Sequence, residues 1–100
     1  MIQKSHLIEF WKQAFGFSKP EITAFGKIKR EQFVPEELKD VAYDDVPLPL
    51  VRGKTISQPT TVMIMTHLLD LRKGDKVFEI GTGSGYQAAI LANIVGPRGK

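Results

Sequence analysis

An apolar run, Val77-Phe78-Glu79-Ile80, ends in a glycine-spaced loop, Gly81-Thr82-Gly83-Ser84-Gly85, and a helix-forming run from Tyr86 to Val95 follows at once. Strand, glycine turn and helix form the unit in which an α/β protein presents backbone N–H groups to a ligand. Gly81 and Gly85 have no Cβ, so the chain can turn sharply and a ligand can approach the backbone. Glu79 interrupts the apolar run with a carboxylate at the strand end, where open parallel sheets bind ligands.

The loop spacing narrows the ligand. A dinucleotide site reads G-x-G-x-x-G, with a small third residue packing helix against strand. Here the spacing is G-x-G-x-G, and the next residue is the bulky Tyr86. No Gly-Lys-Ser/Thr follows, which excludes a Walker loop. With its acidic residue two positions before the first glycine, the string resembles motif I of S-adenosylmethionine-dependent methyltransferases. Spacing alone leaves a plain glycine turn without a ligand open as the alternative.

Length sets the next limit. The chain has 100 residues, and its loop begins only at Gly81. A parallel sheet needs several strand–crossover units of about 30 residues each. The sequence therefore reads as the front of a larger fold. Hydrophobic content of 42% with 25% charge is that of a globular chain. The net charge of +3 is spread over clusters such as Lys27, Lys29, Arg30 and Arg72, Lys73, Lys76, without interleaved aromatics. Those clusters read as solvated faces, and no nucleic-acid partner is expected. The absence of cysteine excludes disulfides, thiolate metal sites and cysteine nucleophiles. His6 and His67 stand without carboxylates at ligand spacing, so no metal is expected. No run reaches the roughly 18 apolar residues of a membrane span, and no signal-peptide core opens the chain. A cytoplasmic location and no membrane partner are expected.

In chain order, Leu7, Ile8, Trp11, Ala14 and Phe15 mark one face of a helix, with Gly16 as its stop. Ser18-Lys19-Pro20-Glu21 carries the capping-box spacing and opens a second helix with Ile22, Phe25 and Ile28 facing inward. Phe33-Val34-Pro35 breaks the pattern, and Pro35 to Leu38 suits a short helical turn. Pro47 and Pro49 then exclude a helix or a central strand. Asp44 and Asp45 are adjacent and point opposite ways in an extended chain, so they make a poor acid/base couple. Asp45 reads as a turn or backbone-capping residue. Val51 to Lys54 is a turn. Pro59 suits the first position of a third helix, whose buried face is Val62, Met65, Leu68 and Leu69. Lys73-Gly74-Asp75 turns into the strand. The last helix is apolar nearly all round and ends at Gly96.

Three strings together carry a more specific resemblance: Ala42-Tyr43-x-Asp45-x-Pro47-Leu48-Pro49, then Gly53-x-Thr55-Ile56-Ser57-Gln58-Pro59, then Glu79 to Ala89. With Phe33-Val34-Pro35, they resemble the protein-L-isoaspartate O-methyltransferase family, over most of the chain from about Glu31 onward. The Thr-Ile-Ser-Gln-Pro string is far more specific than the glycine loop. Two positions depart from the family: Val51 replaces a usual glycine, and Lys54 replaces a usual glutamine beside the presumed active site.

The resemblance implies the N-terminal part of a Rossmann-like α/β methyltransferase fold. Residues 1–58 would form a helical region with a substrate-side extended arm, and 59–100 the incomplete start of the cofactor-binding domain. It implies methylation of the free carboxylate of L-isoaspartyl residues in damaged proteins and peptides, with S-adenosyl-L-methionine as cofactor. Thr55, Ile56 and Ser57 would bind substrate, Ser57 as the orienting catalytic residue. Glu79, Gly81, Thr82, Gly83, Ser84 and Gly85 would hold the cofactor. A carboxylate is already nucleophilic at neutral pH, so the site must supply alignment rather than a strong base. Ser57 can donate to the carboxylate, and the helix starting at Pro59 offers N–H groups and a positive dipole end. A plain helix cap is the other reading of Ser57. The alternatives to the whole reading are a small-molecule methyltransferase and a non-catalytic module. The 100 residues alone are expected to be inactive and to associate, as homodimers, through uncovered apolar surface.

Overall fold

The computed structural model describes residues 3–50 and 53–100. Helix α1 (Lys4–Ala14) buries Leu7 and Trp11. Ala14 is exposed, and the helix ends with Phe15 in an extended conformation rather than at a left-handed Gly16. The apolar face is thus shorter than the periodicity suggests. Phe15 instead leaves the helix and stacks on Phe17, 5.2 Å between centroids.

Helix α2 (Lys19–Lys27) begins with the expected reciprocal cap. The Glu21 amide donates to Ser18 Oγ at 3.3 Å, and Glu21 Oε1 accepts from the Ser18 amide at 2.8 Å. Phe25 is fully buried and meets the Trp11 ring edge-on at 4.6 Å. Two 3-10 turns follow, Arg30–Phe33 and Glu36–Val41, on either side of the Val34-Pro35 break. The proline arm then forms a minimal antiparallel hairpin, β1 (Leu48–Pro49) with β2 (Thr55–Ile56), pairing Leu48 with Ile56 and Pro49 with Thr55. Two residues is as far as this ladder runs, and Pro49 has no N–H to extend it. Of the expected turn, Val51 and Arg52 lie outside the described residues. Gly53 has φ +72°, and the Leu50 amide closes the loop on the Lys54 carbonyl at 2.7 Å.

Helix α3 (Pro59–Leu68) starts at the proline, as read. Its buried face differs from the expected one. Pro59, Thr60, Val62, Met63 and Thr66 are inside, whereas Met65, Leu68 and Leu69 are at least half exposed. The helix is apolar nearly all round, so periodicity does not define its inner side. Polar anchors do. Trp11 Nε1 donates to Thr60 Oγ1 at 2.8 Å, and Gln87 Nε2 donates to Thr66 Oγ1 at 3.1 Å.

The run Val77–Ile80 forms no strand and bends at Ile80, with Phe78 87% and Ile80 86% exposed. The Lys100 amide donates to the Asp75 carbonyl and the Val77 amide to the Lys100 carbonyl, the bonding pattern of a parallel pair. One residue of pairing does not make a ladder. Gly99 is required for that approach: a Cβ there would lie 2.8 Å from the Asp75 carbonyl oxygen and against the Val95 side chain. Helix α4 (Tyr86–Val95) crosses between the two segments, buries Tyr86, Ile90, Leu91, Ile94 and Val95, and ends at Gly96 with φ +77°. It packs against α2. One continuous core runs from Leu7 and Trp11 through Phe25, Tyr43 and Met63 to Ile90 and Ile94.

Candidate active site

The glycine loop folds as its composition demands. Gly81, Gly83 and Gly85 have φ of +74°, +59° and +86°, a region that side chains with a Cβ rarely adopt. The Gly85 amide donates to the Thr82 carbonyl at 3.0 Å, which closes the turn, and Gly85 is the N-cap of α4. Thr82 Oγ1 donates to Glu79 Oε1 at 2.7 Å, so the half-buried carboxylate is fixed beneath the loop. Ser84 Oγ accepts from the Tyr86 amide at 3.2 Å.

The two strings singled out in the sequence meet. Thr55, Ile56 and Ser57 share one small cavity, of about 100 Å³, with Glu79, Gly81, Thr82, Gly83 and Ser84; Val62, Tyr86 and Gln87 complete its wall. Gly85 is not in that wall and contributes through the turn. Among the described residues, Glu79 is the one carboxylate lining the cavity, and no lysine or arginine lines it. An anion at this place suits a cationic ligand and opposes a pyrophosphate.

Ser57 is not a helix cap. The N-cap of α3 is Gln58, and among the described residues the Ser57 hydroxyl makes no hydrogen bond. The helix end is also not an open anion site. Pro59 has no N–H, and the Thr60 amide donates to Asp45 Oδ1 at 2.9 Å while its hydroxyl donates to Oδ2 at 2.6 Å. Asp45 itself is the anion at the positive end of the helix dipole. Its expected capping role is therefore met from across the chain, and the start of α3 is not free to take up a further anion.

One residue that sets Ser57 was not singled out in the sequence. Arg30 sits in a basic run read as a solvated face, yet it is fully buried. Its Nε donates to the Ala42 carbonyl and its Nη2 to the Ser57 carbonyl at 2.9 Å, and its guanidinium lies over the Tyr86 ring, 5.1 Å from the centroid. Burial lowers its pKa, opposed by Tyr86, Tyr43 and Asp45. The Tyr43 hydroxyl accepts from the Arg30 amide at 3.0 Å and donates to Glu31 Oε1 at 3.1 Å; burial pushes its pKa up to about 12. The Tyr86 hydroxyl is raised further by the same cause. No local signal marks Arg30, because its acceptors are carbonyls 12 and 27 residues away.

A second, wider groove of about 600 Å³ opens beside the cavity and shares Gly83 and Ser84 with it. Phe33, Val34, Pro35 and Leu50 form its apolar wall, with Gln32 and Lys54 as its polar members.

Comparison with known proteins agrees with this geometry. A solved protein-L-isoaspartate O-methyltransferase structure superposes with a TM-score of 0.84 at 31% identity, covering 97% of this chain and 32% of its own. A Plasmodium falciparum protein assigned to the same enzymes, solved in complex with S-adenosyl-L-homocysteine, superposes at 0.73 with 22% identity over 91% of this chain and 41% of its own. The architecture is the N-terminal part of an α/β methyltransferase fold. The model of the protein-L-isoaspartate(D-aspartate) O-methyltransferase family matches residues 2–100, and the chain belongs to that family. The protein-L-isoaspartate O-methyltransferase of Thermosipho melanesiensis is 56% identical over 85 residues, 85% of this chain and 43% of the relative. Protein-L-isoaspartate O-methyltransferase 2 of Archaeoglobus fulgidus is 50% identical over 98 residues, 98% of this chain and 45% of the relative. The chain thus spans less than half the length of these relatives.

Proposed function

We propose that this chain supplies the substrate arm and the glycine loop of an enzyme that methylates the free α-carboxylate of L-isoaspartyl residues, with S-adenosyl-L-methionine as methyl donor. The observation that carries the reading is the shared cavity, in which Thr55–Ser57 face Glu79–Ser84. The cofactor's chemistry is a methyl group made electrophilic by a sulfonium. When bound, the cofactor would supply that methyl group to a carboxylate oxygen of the substrate, with S-adenosylhomocysteine as the leaving group and a methyl ester as the product.

The residues fit such a ligand. A cationic cofactor finds the fixed Glu79 carboxylate, and the positive-φ glycines leave the loop backbone uncovered: a Cβ on Gly81 would meet nothing within 4 Å. In this reading Glu79 holds the cofactor's ammonium, and Gly81, Thr82, Gly83, Ser84 and Gly85 hold the rest of its near side. Ser57 donates its unengaged hydroxyl to the substrate carboxylate, and Thr55 and Ile56 shape the approach. No proton need be removed, since the carboxylate is ionised at neutral pH. What the chain provides is alignment.

The division of labour follows: residues 1–58 act on the substrate side and 59–100 on the cofactor side. The substrates are damaged proteins and peptides rather than nucleic acid or membrane. A cytoplasmic site of action belongs to the same reading. Among the described residues no helix is long and apolar enough to cross a membrane. The test is transfer of labelled methyl groups by the complete gene product to an isoaspartyl peptide and to its ordinary aspartyl counterpart, with cofactor affinity from calorimetry. Labelling of the first alone is expected; equal labelling, or labelling of neither, refutes the assignment.

A further inference from the structure

We propose that Lys54 makes the outer groove select isoaspartyl segments that carry an acidic residue next to the damaged position. This rests on the reading of the inner cavity as the isoaspartyl site. A carboxylate held at Ser57 belongs to a polypeptide, and its flanking residues need a path out. The groove bounded by Phe33, Pro35 and Leu50 joins the cavity at Gly83 and Ser84 and is the wider of the two, at about 600 Å³ against about 100 Å³.

Its charge is uncompensated. Lys54 is exposed and, among the described residues, is the only ionisable one in the groove wall. Of the carboxylates that flank the groove residues in sequence, Glu31 accepts from Tyr43 at 3.1 Å and Glu36 pairs with Lys39 at 2.8 Å. No ion pair within the described residues engages Lys54. The Lys54 backbone is fixed by the Leu50 amide, so the flexible stem starts from a defined point on the groove rim. An ammonium there attracts a substrate carboxylate and repels a substrate lysine.

The test uses the complete gene product carrying this sequence, as wild type, Lys54→Gln and Lys54→Glu. Peptides differ only in the residue beside isoaspartate: glutamate, alanine or lysine. The contact is exposed, so wild type should favour the glutamate peptide over the lysine peptide by about two- to fivefold in kcat/KM, less at high salt. Lys54→Gln should abolish the preference, and Lys54→Glu should reverse it. Within each protein the glutamate and lysine rates are referred to that of the alanine peptide, so a general change in activity cancels. An identical glutamate-to-lysine ratio in the three proteins overturns the role of Lys54 and leaves the enzyme assignment standing. No methylation of any peptide by any of them overturns both.

Discussion

Replacing Arg30 by methionine tests whether the Ser57 segment is held from the core. The substitution keeps an unbranched stem of similar length and removes the donors to the Ala42 and Ser57 carbonyls. The two losses are unequal. Ala42 is fully buried, so its carbonyl stays unsatisfied at about 1–3 kcal/mol. Ser57 is exposed, and water can replace the donor there at little cost. Loss of the contact with the Tyr86 face adds about 1 kcal/mol. Release of a buried charge offsets part of this. The net expectation is a destabilisation of about 2 kcal/mol, read from urea unfolding as a lower midpoint at unchanged slope. Arg30→Lys keeps the charge, but an ammonium cannot reproduce the planar fork that spans both carbonyls, so it should fall between. In the complete enzyme both variants should lose methyl transfer by a larger factor than cofactor affinity, because the Ser57 segment loses a donor while the bond from Thr82 to Glu79 and the glycine turn keep theirs. A methionine variant as stable as wild type, or an equal loss of both functions, would refute the view that Arg30 fixes Ser57.

Asp45→Ala removes the acceptor of the Thr60 amide and hydroxyl and breaks the chain that continues to Trp11 Nε1, so it should cost about 1–3 kcal/mol in thermal unfolding; a change within about 0.5 kcal/mol would show the cap to be dispensable. In the complete enzyme Ser57→Ala should lower turnover roughly ten- to a thousand-fold with little change in cofactor affinity, whereas Gly83→Val, forced to φ near +59°, should lose cofactor binding; normal turnover in the first or normal affinity in the second would sink the corresponding role. Both tyrosines are held neutral by burial, with Tyr43 raised to about 12. Their contribution to stability is therefore complete below pH about 10 and lost as pH rises from there through the folded value; phenolate absorbance should appear only with unfolding, and its appearance near pH 10 in the folded chain would contradict the packing. The 100-residue chain on its own should associate through Phe78 and Ile80 and transfer no methyl groups; a compact monomer at high concentration in sedimentation contradicts the first half, and methyl transfer contradicts the second.

What could be read in the sequence was local. The Ser18–Glu21 cap needs only residues three apart, and it formed as read. Pro59 and Gly96 mark helix ends by their own backbone limits, and both do so here. The inner face of α3 could not be read, since apolar residues surround it and Thr60 and Thr66, two polar residues, are what orient it. Arg30 looked like surface because its partners are distant carbonyls. The strand pattern of Val77–Ile80 was legible as an extended run, but a strand exists only with its neighbours, and here pairing is confined to Lys100. The candidate site divides the same way. Its motif residues were evident, while the wall contributed by Phe33 to Pro35 depends on how the arm folds back.

That folding back explains why two motifs more than twenty residues apart can share a cavity. Asp45 fixes the start of α3, and Arg30 fixes the Ser57 carbonyl just before it. From the other side, Gln87 in the first turn of α4 donates to the Val62 carbonyl at 3.3 Å and to Thr66 Oγ1 at 3.1 Å, both on α3. The helix that follows the glycine loop is therefore tied to the helix that follows Ser57. The separation of Ser57 from Glu79 is set by two hydrogen-bonded helices as well as by the loops that carry them. The proposed in-line methyl transfer would tolerate little misalignment, and an arrangement of this kind would supply that stiffness while leaving the loop backbone open to a ligand. It also accounts for Tyr86 standing where a dinucleotide site needs a small residue. Its ring meets both Phe33, 5.4 Å away, and the Arg30 guanidinium, so the bulk that disqualifies the loop as a dinucleotide site is what joins the Arg30–Phe33 turn to the helix after the glycine loop.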